Sequence, residues 1–119
     1  MKPTESEWSV LEILWSGTQF SLSEITQALE PVNHWNKNTV HTYLTRMKKK
    51  GMVSIDRTSQ KPYSACITRE DCAHSQRSEL LHKVYKGRTG DLITAFLKES
   101  PISQKEVAQL RKLLDDMEV

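Results

Sequence analysis

The segment Asn36-Lys37-Asn38-Thr39-Val40-His41-Thr42-Tyr43-Leu44-Thr45-Arg46-Met47-Lys48-Lys49-Lys50 has two faces of different chemistry. Val40, Tyr43, Leu44 and Met47 recur at i, i+3, i+4 and i+7, the spacing of a buried helical stripe. Asn38, His41, Thr42, Thr45 and Lys49 fall on the opposite side. Short polar side chains on an outward face suit base edges, because they can donate, accept and pack a methyl group against thymine. Arg46, Lys48, Lys49 and Lys50 crowd the C-terminal end, where charge matters more than exact geometry and phosphates are the natural partner. Asn36 is placed to cap the helix, Trp35 and Val40 to staple it, and Gly51 to end it.

Working outward, residues 52–56 alternate Met52, Ser54 and Asp56 against Val53 and Ile55. Residues 63–67 alternate Tyr63, Ala65 and Ile67 against Ser64 and Cys66. Two alternating runs around the polar stretch 57–62 predict a β-hairpin, whose Arg57 and Lys61 can reach a phosphate or the minor groove. On the other side, Thr4 with Glu7 opens a helix over about 4–16, with Trp8, Leu11, Leu14 and Trp15 inward and Gly17 as its end. Ser21 with Glu24 is a capping box stapled by Phe20 and Ile25. It opens a helix over about 22–30 with Ile25, Ala28 and Leu29 inward, stopped by Pro31. Three helices followed by a hairpin is the winged-helix order.

Thr68 with Asp71 and Ser103 with Glu106 open further helices, and the pattern predicts segments over about 69–86, 89–99 and 104–117. Leu80, Leu81 and Val84, then Leu92, Ile93, Phe96 and Leu97, then Leu110, Leu113 and Leu114 give three apolar stripes. That is more apolar surface than a short three-helix appendage buries internally. A second copy of the chain is one sink for it, and the winged helix of the same chain is the other. The expected fold is therefore mainly α with a small β-hairpin wing: a winged helix-turn-helix over 1–68, followed by a helical dimerisation region over 69–119.

Charge is distributed unevenly. Residues 1–33 hold five Glu against one Lys, residues 34–62 seven Lys and Arg against one Asp, and residues 68–119 nine of each sign. Cations concentrated around one helix and one hairpin are the footprint of a nucleic-acid surface. No apolar run approaches the ~20 residues of a membrane span, and Met1-Lys2-Pro3-Thr4-Glu5 has no apolar segment behind it that would make a signal peptide. Two cysteines make no disulfide framework, so a reduced, cytoplasmic chain is expected.

An enzyme needs a nucleophile, a base and a pocket. Cys66, Cys72 and His74 are the only cluster in the sequence, and their spacing fits no metal site. No catalytic residue, metal, cofactor or small-molecule substrate is expected. Two other readings stand beside DNA binding: a winged helix used for protein contact, and a DNA-binding redox sensor working through Cys66 and Cys72.

Residues 5–15, Glu5-Ser6-Glu7-Trp8-Ser9-Val10-Leu11-Glu12-Ile13-Leu14-Trp15, and residues 35–47 with Lys50-Gly51 in register, resemble the penicillinase-repressor family, which includes methicillin, penicillinase and copper-responsive repressors. Leu92-Ile93-Thr94-Ala95-Phe96-Leu97 and residues 103–111 resemble its dimerisation helices. The resemblance implies a homodimeric repressor at dyad operators built around TACA/TGTA, with Thr39, Thr42 and Arg46 at DNA-contact positions. Lys37, Asn38, His41, Thr45, Lys48, Lys49, Arg57 and Lys61 complete the expected contact set. Asn38 and His41 stand where the methicillin and penicillinase repressors often carry basic residues. The family also implies inactivation by a protease or sensor pathway that cuts an Asn-Phe bond; the matching pair here is Ala95-Phe96. The paired Cys-x-Cys motifs of the copper-responsive members are missing from this sequence.

Overall fold

Every predicted cap is made in the computed structural model, which describes residues 2–117. Met1, Glu118 and Val119, the outer ends of the two expected domains, lie outside the described residues. The order is α1 (Glu5–Trp15), α2 (Leu22–Asn33), α3 (Lys37–Lys49), β1 (Val53–Ile55), β2 (Tyr63–Ala65), α4 (Arg69–Lys83), α5 (Thr89–Glu99) and α6 (Gln104–Met117). Thr4 with Glu7 and Ser21 with Glu24 form reciprocal capping boxes. Asn36 Oδ1 accepts from the Thr39 amide at 2.9 Å. The Thr68–Asp71 and Ser103–Glu106 pairs make the same reciprocal bonds at α4 and α6.

Helix ends show where local signals gave way to packing. Pro31 lies inside α2, which runs on to Asn33 and closes on left-handed His34 (φ 55°). The carbonyl that Pro31 leaves unbonded belongs to exposed Gln27, so water can satisfy it near the helix end. Gly17 follows a right-handed C-cap at Ser16. A Cβ there would come within 2.9 Å of the tip of the Phe20 ring, which would have to shift. Gly51 does take the left-handed conformation (φ 80°). Its amide donates to Lys48 O and that of Met52 to Met47 O, a Schellman end for α3.

The chain divides into two compact units, Met1–Arg77 and Ser78–Val119, with the division inside α4. In the first, Val10, Leu11, Leu14, Ile25, Leu29, Val40, Leu44, Met47, Met52, Val53, Tyr63 and Cys72 form one buried core. Each such aliphatic side chain is worth ~1.5–3 kcal/mol on burial. Some positions differ from expectation: Val10 is central on α1, Trp8, Trp15 and Tyr43 are half-buried against the core, and Ala28 is exposed. Trp8 serves the rim instead. Its ring meets Trp15 edge-on at 5.3 Å, and its Nε1 donates to Glu12. Glu12 receives both terminal nitrogens of Arg69 at 2.6 Å, and Arg69 lies 4.8 Å above the Trp15 ring. Trp15 Nε1 donates to Ile67 O. This cluster ties α1 to the start of α4.

The hairpin pairs Val53 with Ala65, Ser54 with Ser64 and Ile55 with Tyr63. Phe20 adds a third, single-residue bridge to Tyr63, with both backbone bonds made at 2.9 and 3.0 Å. In the second unit no described side chain is fully buried. Val84, Ile93, Phe96, Leu97, Leu113, Leu114 and Met117 are exposed, while Leu80, Leu81, Leu92 and Leu110 are half-buried. No helix among the described residues is long and apolar enough to cross a membrane.

Candidate nucleic-acid interface

α3 turns its Val40, Leu44 and Met47 stripe into the core, which fixes the opposite face outward. Trp35, entering the helix, stacks on Tyr43 at 4.5 Å and 10° and steadies the rotation of α3 from its N-terminal side. Lys37, Asn38, His41, Thr42, Thr45, Arg46, Lys48 and Lys49 are all exposed, and Thr39 is half-buried. Among the described residues, Lys37, Arg46, Lys48, Lys49 and Arg57 make no ion pair. Their charges therefore remain free for a ligand. The first turn of α3 holds no carboxylate, so its positive dipole end is also uncompensated.

Thr42 Oγ1 donates to Asn38 O at 2.9 Å and Thr45 Oγ1 to His41 O at 3.0 Å. These bonds occupy the hydroxyl hydrogens along the helix. What the two threonines offer outward is a methyl group and the remaining oxygen lone pairs, the chemistry that meets a thymine methyl or a base amino group.

The hairpin completes the surface. Ile55 and Tyr63, a cross-strand pair, line one side of a concavity of about 440 Å³ whose other walls are His41, Thr45, Lys48, Lys49 and Arg57. The sequence places Ile55 and Tyr63 in the hairpin, and the fold brings both to this surface. Their alternation with Ser54 and Ser64 was the available signal. At the tip, Asp56 Oδ1 accepts from the Thr58 amide and hydroxyl. Those bonds hold the Asp56 carboxyl below its ordinary value and shape the turn that carries Arg57.

Two expected cations are otherwise engaged. Lys61 Nζ pairs with Glu24 Oε2 at 3.2 Å, both partly exposed. Lys50, grouped by sequence with the phosphate-binding lysines, is bonded to the buried Glu7 carboxylate and serves the fold. Ala95 is half-buried and Phe96 exposed in the middle of α5. Cys72 is in the core, where burial pushes its thiol up and keeps it protonated, while Cys66 is exposed. A buried, protonated thiol is a poor redox partner.

A sequence model of the family described as Penicillinase repressor matches residues 3–116. The chain belongs to the penicillinase-repressor family of DNA-binding transcriptional repressors. Relatives named as methicillin resistance regulatory proteins and penicillinase repressors are transcriptional regulators and not enzymes. The methicillin resistance regulatory protein MecI of Mammaliicoccus sciuri is 29% identical over 115 residues, covering 94% of this chain and 92% of that protein. The penicillinase repressor of Staphylococcus aureus is 27% identical over 94% of this chain and 90% of its own length. That of Bacillus licheniformis is 22% identical over 95% and 89%. Among solved structures, the repressor is similar to a MarR/EmrR family transcriptional regulator from Acinetobacter sp. ADP1 (TM-score 0.47, 17% identity, 97% of this chain and 73% of that one). It is also similar to Streptococcus pneumoniae FabT in complex with DNA (TM-score 0.44, 15% identity, 97% and 73%).

Proposed function

We propose that this chain acts in the cytoplasm as a homodimer that represses transcription at a dyad operator with TACA/TGTA-like half-sites. Residues 1–68 bind DNA, with α3 in the major groove and the hairpin over the flanking backbone. Residues 69–119 hold the two copies together. The observation that carries the reading is the outer face of α3, where short polar side chains sit among unpaired cations. Asn38, Thr39 and Thr42 read bases; Lys37, Arg46, Lys48, Lys49 and Arg57 hold phosphates. Dimerisation is supported by the absence of any fully buried side chain among the described residues of the second unit, whose Phe96, Leu97, Leu113 and Leu114 need cover.

The test is selection of bound duplexes from random DNA, followed by rebinding across a salt series. A two-fold symmetric consensus with a steep salt slope is expected. Weak binding without enrichment would leave a non-specific or protein-binding winged helix.

An inactivating protease is the further partner that the family resemblance brings with it. A protease takes its substrate extended, so cleavage at Ala95-Phe96 first requires α5 to unwind. The lack of buried residues in α5 lowers the cost of that step.

A further inference from the structure

We propose that DNA binding by this chain is linked to proton uptake at His41, so that acidification tightens the complex. The inference rests on the DNA-binding reading above and specifies its regulation. His41 projects from the outer face of α3 into the concavity between helix and hairpin, and its imidazole has no partner among the described residues. The groups that face it are all cationic or neutral: Lys48 and Lys49 on its own helix, Arg57 from the hairpin turn, and Tyr63 from β2. Lys37 lies one turn earlier on α3. No carboxylate lines the concavity among the described residues. The nearest acid along the hairpin, Asp56, is bonded to Thr58.

This arrangement separates the free and bound states. Without DNA, an imidazolium at this position has no carboxylate among the described residues of the concavity to pair with. With a phosphate backbone in the concavity, the same imidazolium gains an anion, and both of its nitrogens become donors. Histidine is the side chain that exchanges its proton in the neutral range, at about pH 6.5 unperturbed. Binding therefore draws a proton from solution in that range, and by linkage a lower pH favours binding. A lysine at this position would be charged at every such pH and could not make the distinction.

The experiment measures affinity for a duplex carrying dyad TACA/TGTA half-sites, and for a scrambled duplex, at about pH 6, 7 and 8 and constant ionic strength. It compares the full chain with His41→Gln and His41→Lys. Because His41 is exposed, neither substitution threatens the fold. His34, His74 and His82 remain in every variant as internal controls. The wild type should bind roughly fivefold tighter per recognition helix at pH 6 than at pH 8, with a salt slope steeper by ~1 per helix. His41→Gln should lose that dependence at the weaker affinity, and His41→Lys should lose it at the tighter one. Equal pH dependence in the wild type and His41→Gln, or none in the wild type, would overturn the linkage while leaving DNA binding intact. Failure of the wild type to bind either duplex at any pH would instead overturn the DNA-binding reading, and the linkage with it.

Discussion

Lys50 Nζ lies 2.7 Å from Glu7 Oε2, joining the end of α3 to the first turn of α1 across 43 residues of sequence. The lysine side chain is 40% exposed and that of the glutamate 4%. The other carboxylate oxygen of Glu7 accepts from the Thr4 amide at 2.9 Å. One side chain therefore caps α1 and anchors α3, so the entry of the first helix and the exit of the third are held together.

Neighbouring lysines should consequently behave differently. Lys50→Ala leaves the Glu7 carboxylate buried without its cation, and should cost about 2 kcal/mol of stability, a value held below the buried-pair range because water reaches Lys50. Lys49→Ala should leave stability unchanged and weaken binding to operator and random DNA alike, lowering the salt slope by ~1. Denaturant melts and salt-dependent binding on the two variants check this.

Acid should find the same contact. Burial pushes the Glu7 carboxyl up, but the Lys50 ammonium and the Thr4 amide outweigh it, and the group ends below its ordinary 4.5. A lowered carboxylate contributes stability that is complete above the ordinary value and is lost as pH falls through the lowered one. Glu7→Gln should therefore be less stable than wild type at neutral pH, with the gap closing below pH ~4.5. A constant gap between the two melting curves at about pH 7 and 3 would contradict the assignment.

Trp15→Phe removes the donor to the Ile67 carbonyl while keeping a ring beneath Arg69. A loss of ~1 kcal/mol is expected, together with faster amide exchange in the first turns of α4. Exchange that quickens only in α1 would show that the indole does not tie the two helices.

Base reading and phosphate holding should separate on α3. Thr42→Ala removes the outward methyl and hydroxyl, and should weaken binding to the selected operator by ~1–3 kcal/mol while barely affecting random DNA. Losing both equally would place Thr42 outside the base-reading set.

On α6, Leu113→Glu puts a charge into a stripe whose Leu113, Leu114 and Met117 are exposed in the single chain. Sedimentation should register a monomer, and operator affinity should fall with it, because two linked recognition helices bind more tightly than one. A dimer of unchanged stability would place the interface elsewhere.

Sequence was most legible where the physics is local. Asn36, Ser21, Thr4 and Ser103 cap within three residues of themselves, and the i, i+3, i+4, i+7 stripe of α3 is a property of its own helix. The rotation of α1, with Val10 inward and Trp8 at the rim, depends on which helices surround it. The same holds for the charges. Lys50 and Lys49 are alike in sequence, and only a glutamate 43 residues away makes one of them part of the fold. Lys61 meets Glu24 across 37 residues for the same reason. The concavity between α3 and the hairpin required Ile55 and Tyr63 to pair in register, a long-range outcome that the alternation of each strand only hints at.

The two ends of α3 bear on the thermodynamics of recognition. Asn36 occupies the Thr39 amide at one end, and the left-handed Gly51 closes the other. A helix finished at both ends has nothing left to fold when it meets a duplex. Association then carries no backbone ordering entropy for this element, and the heat-capacity change on binding should follow the surface covered.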